Sequence, residues 1–313
     1  MKAAVIEHRG DRGALKDIPV PVPGPQEILV RVTAAGVNPL DWKWRDVYNH
    51  PLPFVLGQDF AGVVSATGDR VTKYREGERL FGVASDHGSY AEYTVVPEDD
   101  HLQPIAKIPD DVGDADAAAL PTAGLTALAS IDALQVGSGT TVLILGVTGG
   151  VGGFAAQIAH DRAARVIGSG RASSEQLARS LGVDEYVAFD RDDVVRKVGA
   201  AHASGVDAIL DLVDDADAIK RTAELLRKGG RIVSTIGAAD VDWFAKRDAT
   251  AINLVGKNTP QSSHAGLREL AKMLEQGRIR VILAGERSLA QAADALDESK
   301  NGSVNGKLVL TIA

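Results

Sequence analysis

Thr141-Val-Leu-Ile-Leu-Gly146-Val-Thr-Gly149-Gly150-Val-Gly152-Gly153-Phe-Ala-Ala-Gln-Ile-Ala159 reads as a buried strand, a glycine turn and a helix in immediate succession. From Thr141 to Leu145 every residue is β-branched or aliphatic, without the alternation of a strand wetted on one face. That pattern predicts a central parallel strand covered on both sides. Gly146, Gly149 and Gly152 recur every three residues, and helical spacing resumes at Val151, Phe154, Ala155, Ile158 and Ala159. A dinucleotide site needs a small residue where the chain turns, another where backbone meets pyrophosphate, and a third where the helix crosses the sheet. Free N–H groups at the helix start would hold the phosphates. Gly146, Thr148, Gly149, Gly150, Val151 and Gly152 are therefore the candidate phosphate-contacting residues. Thr148 stands where the usual G-x-G-x-x-G has its second glycine, so the turn alone is equally compatible with an ordinary strand-to-helix connection.

Working outward, the chain of 313 residues is long enough for two domains with separate cores. An apolar fraction of 45% predicts a folded globular protein. The net charge of −8 is spread along the chain without a Lys/Arg block, which argues against nucleic acid or an anionic membrane as partner. With no cysteine in the sequence, disulfides, a thiolate nucleophile and cysteine-ligated metal centres are excluded. No apolar run approaches membrane-spanning length, and a soluble cytoplasmic protein is the simplest expectation.

Residues 3–6 and 27–32 read as strands, separated by alternating prolines at 19, 21, 23 and 25 that must be extended. Asn38-Pro39-Leu-Asp41-Trp42-Lys43-Trp44-Arg45 reads as a loop entering a short surface helix. From Leu56 to Val96, short apolar runs between glycine turns predict a barrel-like antiparallel domain. A helix is expected from Pro121 to about Leu134. Strands at 164–171, 182–187, 206–211, 229–237 and 252–255 alternate with a helix that starts at Ser173–Glu175 and helices from Ala216 to Leu226 and from His264 to Leu274. The expected fold class is α/β: a Rossmann-type nucleotide domain over 126–262, a β-barrel domain over 1–125, and a tail, 263–313, whose strand at 306–311 returns to the barrel.

In an NAD site the second strand usually ends in Asp or Glu, which binds the ribose hydroxyls. Here that place holds Ser169, Gly170 and Arg171, with Ser173 and Ser174 following. An acid would repel a 2′-phosphate, whereas arginine and hydroxyls would hold it through charge-assisted bonds. The expected cofactor is NADPH; the plainer alternative is a surface arginine near a helix start.

Several motifs in fixed order cover nearly the whole chain: Gly36-Val-Asn38-Pro39-Leu-Asp41-Trp-Lys43-Trp-Arg45, Leu56-Gly57-Gln-Asp59-Phe-Ala-Gly62-Val-Val64, Gly88-Ser-Tyr90-Ala-Glu92-Tyr93, Gly124-Leu-Thr126-Ala127, Gly149-Gly150-Val-Gly152 and Gly306-Lys-Leu-Val309. With these the sequence resembles the zinc-free quinone oxidoreductase (zeta-crystallin-like) branch of the medium-chain dehydrogenase/reductase superfamily. The resemblance implies a GroES-like barrel as the catalytic domain, homo-oligomers that are most often dimers, and NADPH-dependent reduction of quinones or activated enones without a metal. Zinc relatives carry a histidine and glutamate where Gln58 and Asp59 stand here, and a lobe of four cysteines that this sequence lacks.

For catalysis, an acceptor oxygen that becomes negative as hydride arrives calls for a nearby hydrogen-bond donor. Asn38 matches the family's asparagine, and Lys43 falls where several relatives carry tyrosine. Asp41 is either a partner that orients Lys43 or a helix-start aspartate. Thr126 matches a hydroxyl near the nicotinamide ribose or ring, and Gly237 and Lys307 complete the implied cofactor-contacting set. Tyr90 and Tyr93 read as packing residues. An enoyl-thioester or specialised enone reductase, and an NADPH-binding protein without turnover, are the competing readings. A short-chain dehydrogenase is disfavoured by the missing Tyr-x-x-x-Lys pair and the mid-chain nucleotide motif.

Overall fold

The computed structural model describes residues 1–84, 88–254, 262–302 and 304–313. The chain separates into two compact units, Met1–Leu125 with Asn258–Ala313, and Thr126–Lys257. The junction read from the sequence at 262/263 adjoins residues 255–261, which lie outside the described residues.

The unit from Thr126 to Lys257 is built on one parallel sheet. Its strands lie side by side in the order Glu185–Ala188, Arg165–Gly170, Thr141–Leu145, Val206–Asp211, Leu226–Ser234, Thr250–Asn253, and every pairing is parallel. In chain order that is 3-2-1-4-5-6, the Rossmann arrangement, with the order reversing between Thr141–Leu145 and Val206–Asp211. Thr141–Leu145 is central because its side chains have no wet face: Val142, Leu143 and Ile144 are fully buried and Leu145 nearly so. Helix Gly150–Asp161 follows at once and buries Phe154, Ala155, Ile158 and Ala159, four of the five residues its spacing singled out, while Val151 is half-buried.

Some elements differ from the sequence reading. The helix expected from Ala216 to Leu226 is only Ala218–Thr222, continued by a 3₁₀ turn at Ala223–Leu225. Its start is delayed because Asp215 Oδ1 accepts the N–H groups of Asp217 and Ala218 in a local turn. The last strand is Thr250–Asn253 rather than 252–255, and Val255 lies outside the described residues. Ser173 and Ser174 sit in a 3₁₀ turn, and Ser174 makes no side-chain cap to the following helix Glu175–Ser180.

In the other unit a curled sheet runs Leu283–Ser288, Lys307–Thr311, Glu27–Val37, Asp59–Thr67, Arg79–Val83, Ile105–Lys107, with Tyr93–Pro97 also pairing with Glu27–Val37. Glu27–Val37 is five residues longer than expected and bends at register shifts near Leu29/Val30 and Val32/Ala34. Such bulges let one strand serve three partners and curl the sheet around its core of Ile28, Val30, Val32, Phe60, Leu80 and Leu310. The C-terminal strand pairs antiparallel with it, Leu308 opposite Val37. Lys2–Ile6, Ala14–Asp17 and Phe54–Val55 form a smaller sheet. The short helix read after Val37 is present as Pro39–Asp46, but no loop precedes it, since Asn38 follows strand Glu27–Val37 directly and caps the helix with Pro39 at its first position. Nor is it a surface element throughout, since Asp41 and Arg45 are buried.

Candidate functional site

Two groups of functional side chains emerge, one in each unit. In the parallel-sheet unit, Gly146 leaves its strand at φ +80°, a left-handed conformation that favours glycine. Two residues into the helix, a Cβ on Gly152 would lie 2.3 Å from the Gly146 carbonyl oxygen and 2.8 Å from Val147 Cα. A Cβ on Gly149 would meet only that carbonyl, at 3.4 Å. The turn and the close helix approach thus belong to Gly146 and Gly152, while Gly149 keeps an open face. Among the described residues, the N–H groups of Gly150, Val151 and Gly152 have no carbonyl partner, as expected at a helix start. Three donors without a backbone partner at a glycine-rich helix start fit a pyrophosphate. Thr148 is buried beside them.

At the end of Arg165–Gly170, the Ser169 carbonyl accepts the N–H groups of Gly146 and Val147, so the second strand props the glycine turn. Arg171 is exposed; its carbonyl accepts the Tyr186 hydroxyl at 2.6 Å and its guanidinium lies 5.6 Å from the Phe189 ring. Ser173 is exposed and Ser174 buried. Asp190 Oδ1 accepts the Ala172 N–H at 2.9 Å, so an acid anchors this turn from the neighbouring strand's end. Gly237 has φ +79° three residues beyond Leu226–Ser234. Thr126 is half-buried, and its carbonyl accepts the Ser130 hydroxyl.

Asp211 is a residue that sequence reasoning passed over. It ends Val206–Asp211 beside Leu145, at the point where the strand order reverses, and is wholly buried. Its Oδ1 accepts the N–H groups of Val213 and Asp214, its Oδ2 has no partner among the described residues, and burial pushes its carboxyl up to about 6. The turn it holds carries Val213, whose Cγ1 would be 2.9 Å from a Cβ on Gly146. The signal available in the sequence was an acid closing an otherwise apolar strand.

In the barrel unit, Asn38, Asp41, Asp59, Tyr90 and Lys307 are all buried and joined by hydrogen bonds. Asn38 Nδ2 donates to Asp59 Oδ2 at 2.9 Å, and Lys307 Nζ donates to the Val37 carbonyl at 2.8 Å and to Asn38 Oδ1. Thr122 donates to Asp59 twice, from its N–H at 3.0 Å and its hydroxyl at 2.5 Å. Asp41 Oδ2 accepts the Asn38 N–H at 2.8 Å and the Tyr90 hydroxyl at 2.9 Å. Lys307, grouped with the cofactor residues from the sequence, joins Asn38 and Asp59 here, in the barrel unit. Asp41 does not orient Lys43, whose ammonium lies 5.7 Å from the Trp42 ring and makes no hydrogen bond or ion pair among the described residues. Tyr90 is more than packing, since its hydroxyl is committed to Asp41, whereas Tyr93 is half-buried in its strand.

Two carboxylates and one ammonium, all buried, set the electrostatics. Burial pushes Asp41 up to about 7, and the Asp59 charge pushes the same way. Burial raises Asp59 and lowers Lys307, each partly offset by the other's charge. Between about pH 4 and 7, folded Asp41 holds a proton that the unfolded chain has released, so the folded state binds more protons. The stability this contributes is complete below about pH 4 and is lost as pH rises through about 7. Urea unfolding of this unit, followed by Trp42 and Trp44 fluorescence in a Trp243→Phe background, is expected to show lower stability at pH 8 than at pH 5. Asp41→Asn is expected to flatten that slope; an unchanged slope would mean that Asp41 is ionised throughout.

The alcohol dehydrogenase GroES-like domain matches residues 24–110, and the zinc-binding dehydrogenase family matches residues 181–310. The mouse quinone oxidoreductase is 28% identical over 330 aligned residues, covering 100% of this chain and 98% of that protein. The solved quinone oxidoreductase of Coxiella burnetii is 29% identical with a TM-score of 0.90, covering 100% of this chain and 99% of that one. Over its whole length the chain is thus similar to zinc-independent quinone oxidoreductases of the medium-chain dehydrogenase/reductase superfamily. Within this superfamily the likeness extends to a solved NAD-dependent alcohol dehydrogenase, 29% identical with a TM-score of 0.90 over 100% of both chains. One matching family is described as zinc-binding. The present chain has no cysteine, and Gln58 and Asp59 lie outside the residues that family matches. Among the described residues no three His, Asp or Glu side chains group so as to hold a metal. Asp59 instead serves Asn38 and Thr122. This medium-chain enzyme is an oxidoreductase with a Rossmann-like unit and a GroES-like unit, and no helix among the described residues is long and apolar enough to cross a membrane.

Proposed function

We propose that this enzyme reduces quinones or activated α,β-unsaturated carbonyls with NADPH, without a metal, as a cytoplasmic homodimer. The observation that carries the reading is the buried array around Asn38, whose amide is fixed between Asp59 and Lys307 and keeps one N–H uncommitted among the described residues. When bound, NADPH supplies the hydride; the acceptor takes two electrons and one proton with it, its carbonyl oxygen becomes an enolate- or phenolate-like anion, and solvent supplies the second proton. The protein's own part is to hold the dinucleotide and to place a hydrogen bond on that oxygen, which favours the transition state over the ground state. Asn38 suits the donor role better than Lys43, because it is held on three sides whereas Lys43 rests on a tryptophan ring. Gly146, Gly149, Gly150, Val151 and Gly152 would hold the pyrophosphate, with Thr126, Thr148, Ser169, Gly170 and Gly237 lining the dinucleotide path.

Arg171 and Ser173, exposed beyond a second strand that ends without an acid, support the NADPH preference. A 2′-phosphate bonded by an exposed arginine is worth about 1–1.5 kcal/mol, or roughly tenfold in affinity. Arg171→Ala is expected to weaken NADPH binding by about that factor and to leave NADH unchanged, as read by fluorescence titration. Parent protein that prefers NADH, or a variant that loses both equally, overturns the preference. The reaction itself is tested by NADPH oxidation against a panel of small quinones, enones, enoyl thioesters and aldehydes. Absence of turnover with every quinone and enone ends this reading, and sedimentation of the purified protein checks the dimer.

A further inference from the structure

Lys307 lies 269 residues from Asn38 in sequence, yet its ammonium touches the asparagine side chain in the barrel core. We propose that Lys307 is a positioning residue that fixes and polarises the Asn38 amide, so that the uncommitted Nδ2–H of Asn38 is the hydrogen bond offered to the acceptor's carbonyl oxygen. The proposal rests on the carbonyl-reduction reading above and names the group through which that site would select its substrates.

The chemistry of the neighbours decides which way the amide faces. A lysine ammonium bonded to both Asn38 and the Val37 carbonyl has no lone pair and can only donate in each contact, so the atom facing it is the amide oxygen. Asp59 Oδ2, which already takes the Thr122 N–H, accepts from the other end, so that end must be the NH₂ group. Rotating the amide by half a turn would set N–H against ammonium and carbonyl against carboxylate. The orientation survives a change of charge, because a neutral lysine still carries two N–H donors and a protonated Asp59 still has an accepting oxygen. One of the two Nδ2 hydrogens is committed to Asp59; the other is not. Lys307 draws electron density from the amide oxygen and makes that remaining N–H a stronger donor, as in any chain of mutually polarising hydrogen bonds. The substrate class that follows is one with an oxygen that accepts hydrogen bonds and gains negative charge on reduction.

Why the lysine arrives there is a matter of register. The C-terminal strand pairs Leu308 with Val37, which sets Lys307 next to the residue that caps helix Pro39–Asp46. The helix cap fixes the Asn38 backbone through Asp41, and the strand fixes its side chain through Lys307.

The test uses the full-length protein, labelled with ¹⁵N, with 1,4-benzoquinone and NADPH as the assay pair. The Asn38 side-chain amide signals are assigned by their loss in Asn38→Asp. Lys307→Met is expected to shift those signals and to lower kcat about tenfold, with KM and the NADPH dissociation constant within about twofold of the parent. Asn38→Asp, which accepts from Lys307 but cannot donate, is expected to lose about 100-fold in kcat. Lys307→Gln, which keeps a neutral N–H donor, is expected to fall between parent and Lys307→Met, and it keeps the question answerable if the methionine variant fails to fold. Unshifted Asn38 amide signals in both lysine variants overturn the positioning role. Shifted signals with unchanged kcat overturn the claim that this N–H meets the acceptor. A parent protein inactive on every quinone and enone fails the functional reading, while the amide signals still decide whether Lys307 orients Asn38.

Discussion

Gly152→Ala is expected to weaken NADPH binding at least about 100-fold and to destabilise the parallel-sheet unit. The added methyl would sit 2.3 Å from the Gly146 carbonyl oxygen and 2.8 Å from Val147 Cα, and neither is the end of a flexible side chain that could swing aside. The turn itself must open, which moves the N–H groups of Gly150 and Val151 away from any phosphate they would hold. A hydrogen bond to a charged group is worth about 1.5–3 kcal/mol, so losing two amounts to about 3–6 kcal/mol, which is where the 100-fold figure comes from. Gly149→Ala provides the contrast. Its methyl would meet only one oxygen at 3.4 Å, so folding stability should be near the parent's while dinucleotide binding still falls, because the methyl faces the ligand rather than the protein. Fluorescence titration with NADPH and urea unfolding followed through Trp243 check both variants. Binding by Gly152→Ala within threefold of the parent would sink the assignment of this turn to the pyrophosphate.

Asp59→Ala should have the second large effect, a loss of about 3–5 kcal/mol from the stability of the barrel unit. The carboxylate is fully buried and accepts bonds from Asn38 Nδ2, Thr122 N and Thr122 Oγ1. Its removal leaves those donors unsatisfied and the Lys307 ammonium without its nearby anion, and breaking a buried pair from one side costs about that much. Asp59→Asn keeps an accepting oxygen and should lose less. The double variant Asp59→Ala, Lys307→Met removes both charges and should recover part of the loss, a coupling that a double-mutant cycle measures directly. Urea unfolding of the barrel unit in the Trp243→Phe background gives the numbers. A single Asp59→Ala variant within about 1 kcal/mol of the parent would mean that Asp59 is not the anion of this cluster.

Both variants probe clusters whose legibility in the sequence was unequal, and the reason is the range of the interactions. The glycine turn is local: Gly146 and Gly152 are six residues apart, and the conformations that need them are set by backbone geometry within that span. The parallel strands on either side announce themselves by unbroken apolar runs, because a strand covered on both faces has no alternation to show. Elements shaped by local side-chain competition were read less well, as with the helix that Asp215 delays and the serines that do not cap theirs. The buried array was half legible. Asn38 and Asp41 stood out as polar residues around a proline, but nothing local pairs Asp41 with Tyr90, 49 residues on, or Asn38 with Lys307.

By itself the sequence determined the α/β class, the order of the two units' elements, the family, and the absence of any cysteine-ligated metal. The class and the missing cysteines depend on composition or on patterns within about one strand and one helix, and the family on several such local motifs in fixed order along the chain. Only the tertiary structure decided that Tyr90 binds Asp41 and not merely its neighbours in the barrel, that Lys43 stands apart, that Lys307 faces Asn38, and that Asp211 ends buried at the reversal of the strand order. These are consequences of strand register and burial, which bring distant residues to one point and remove them from water, and neither quantity is written in any short stretch of the chain.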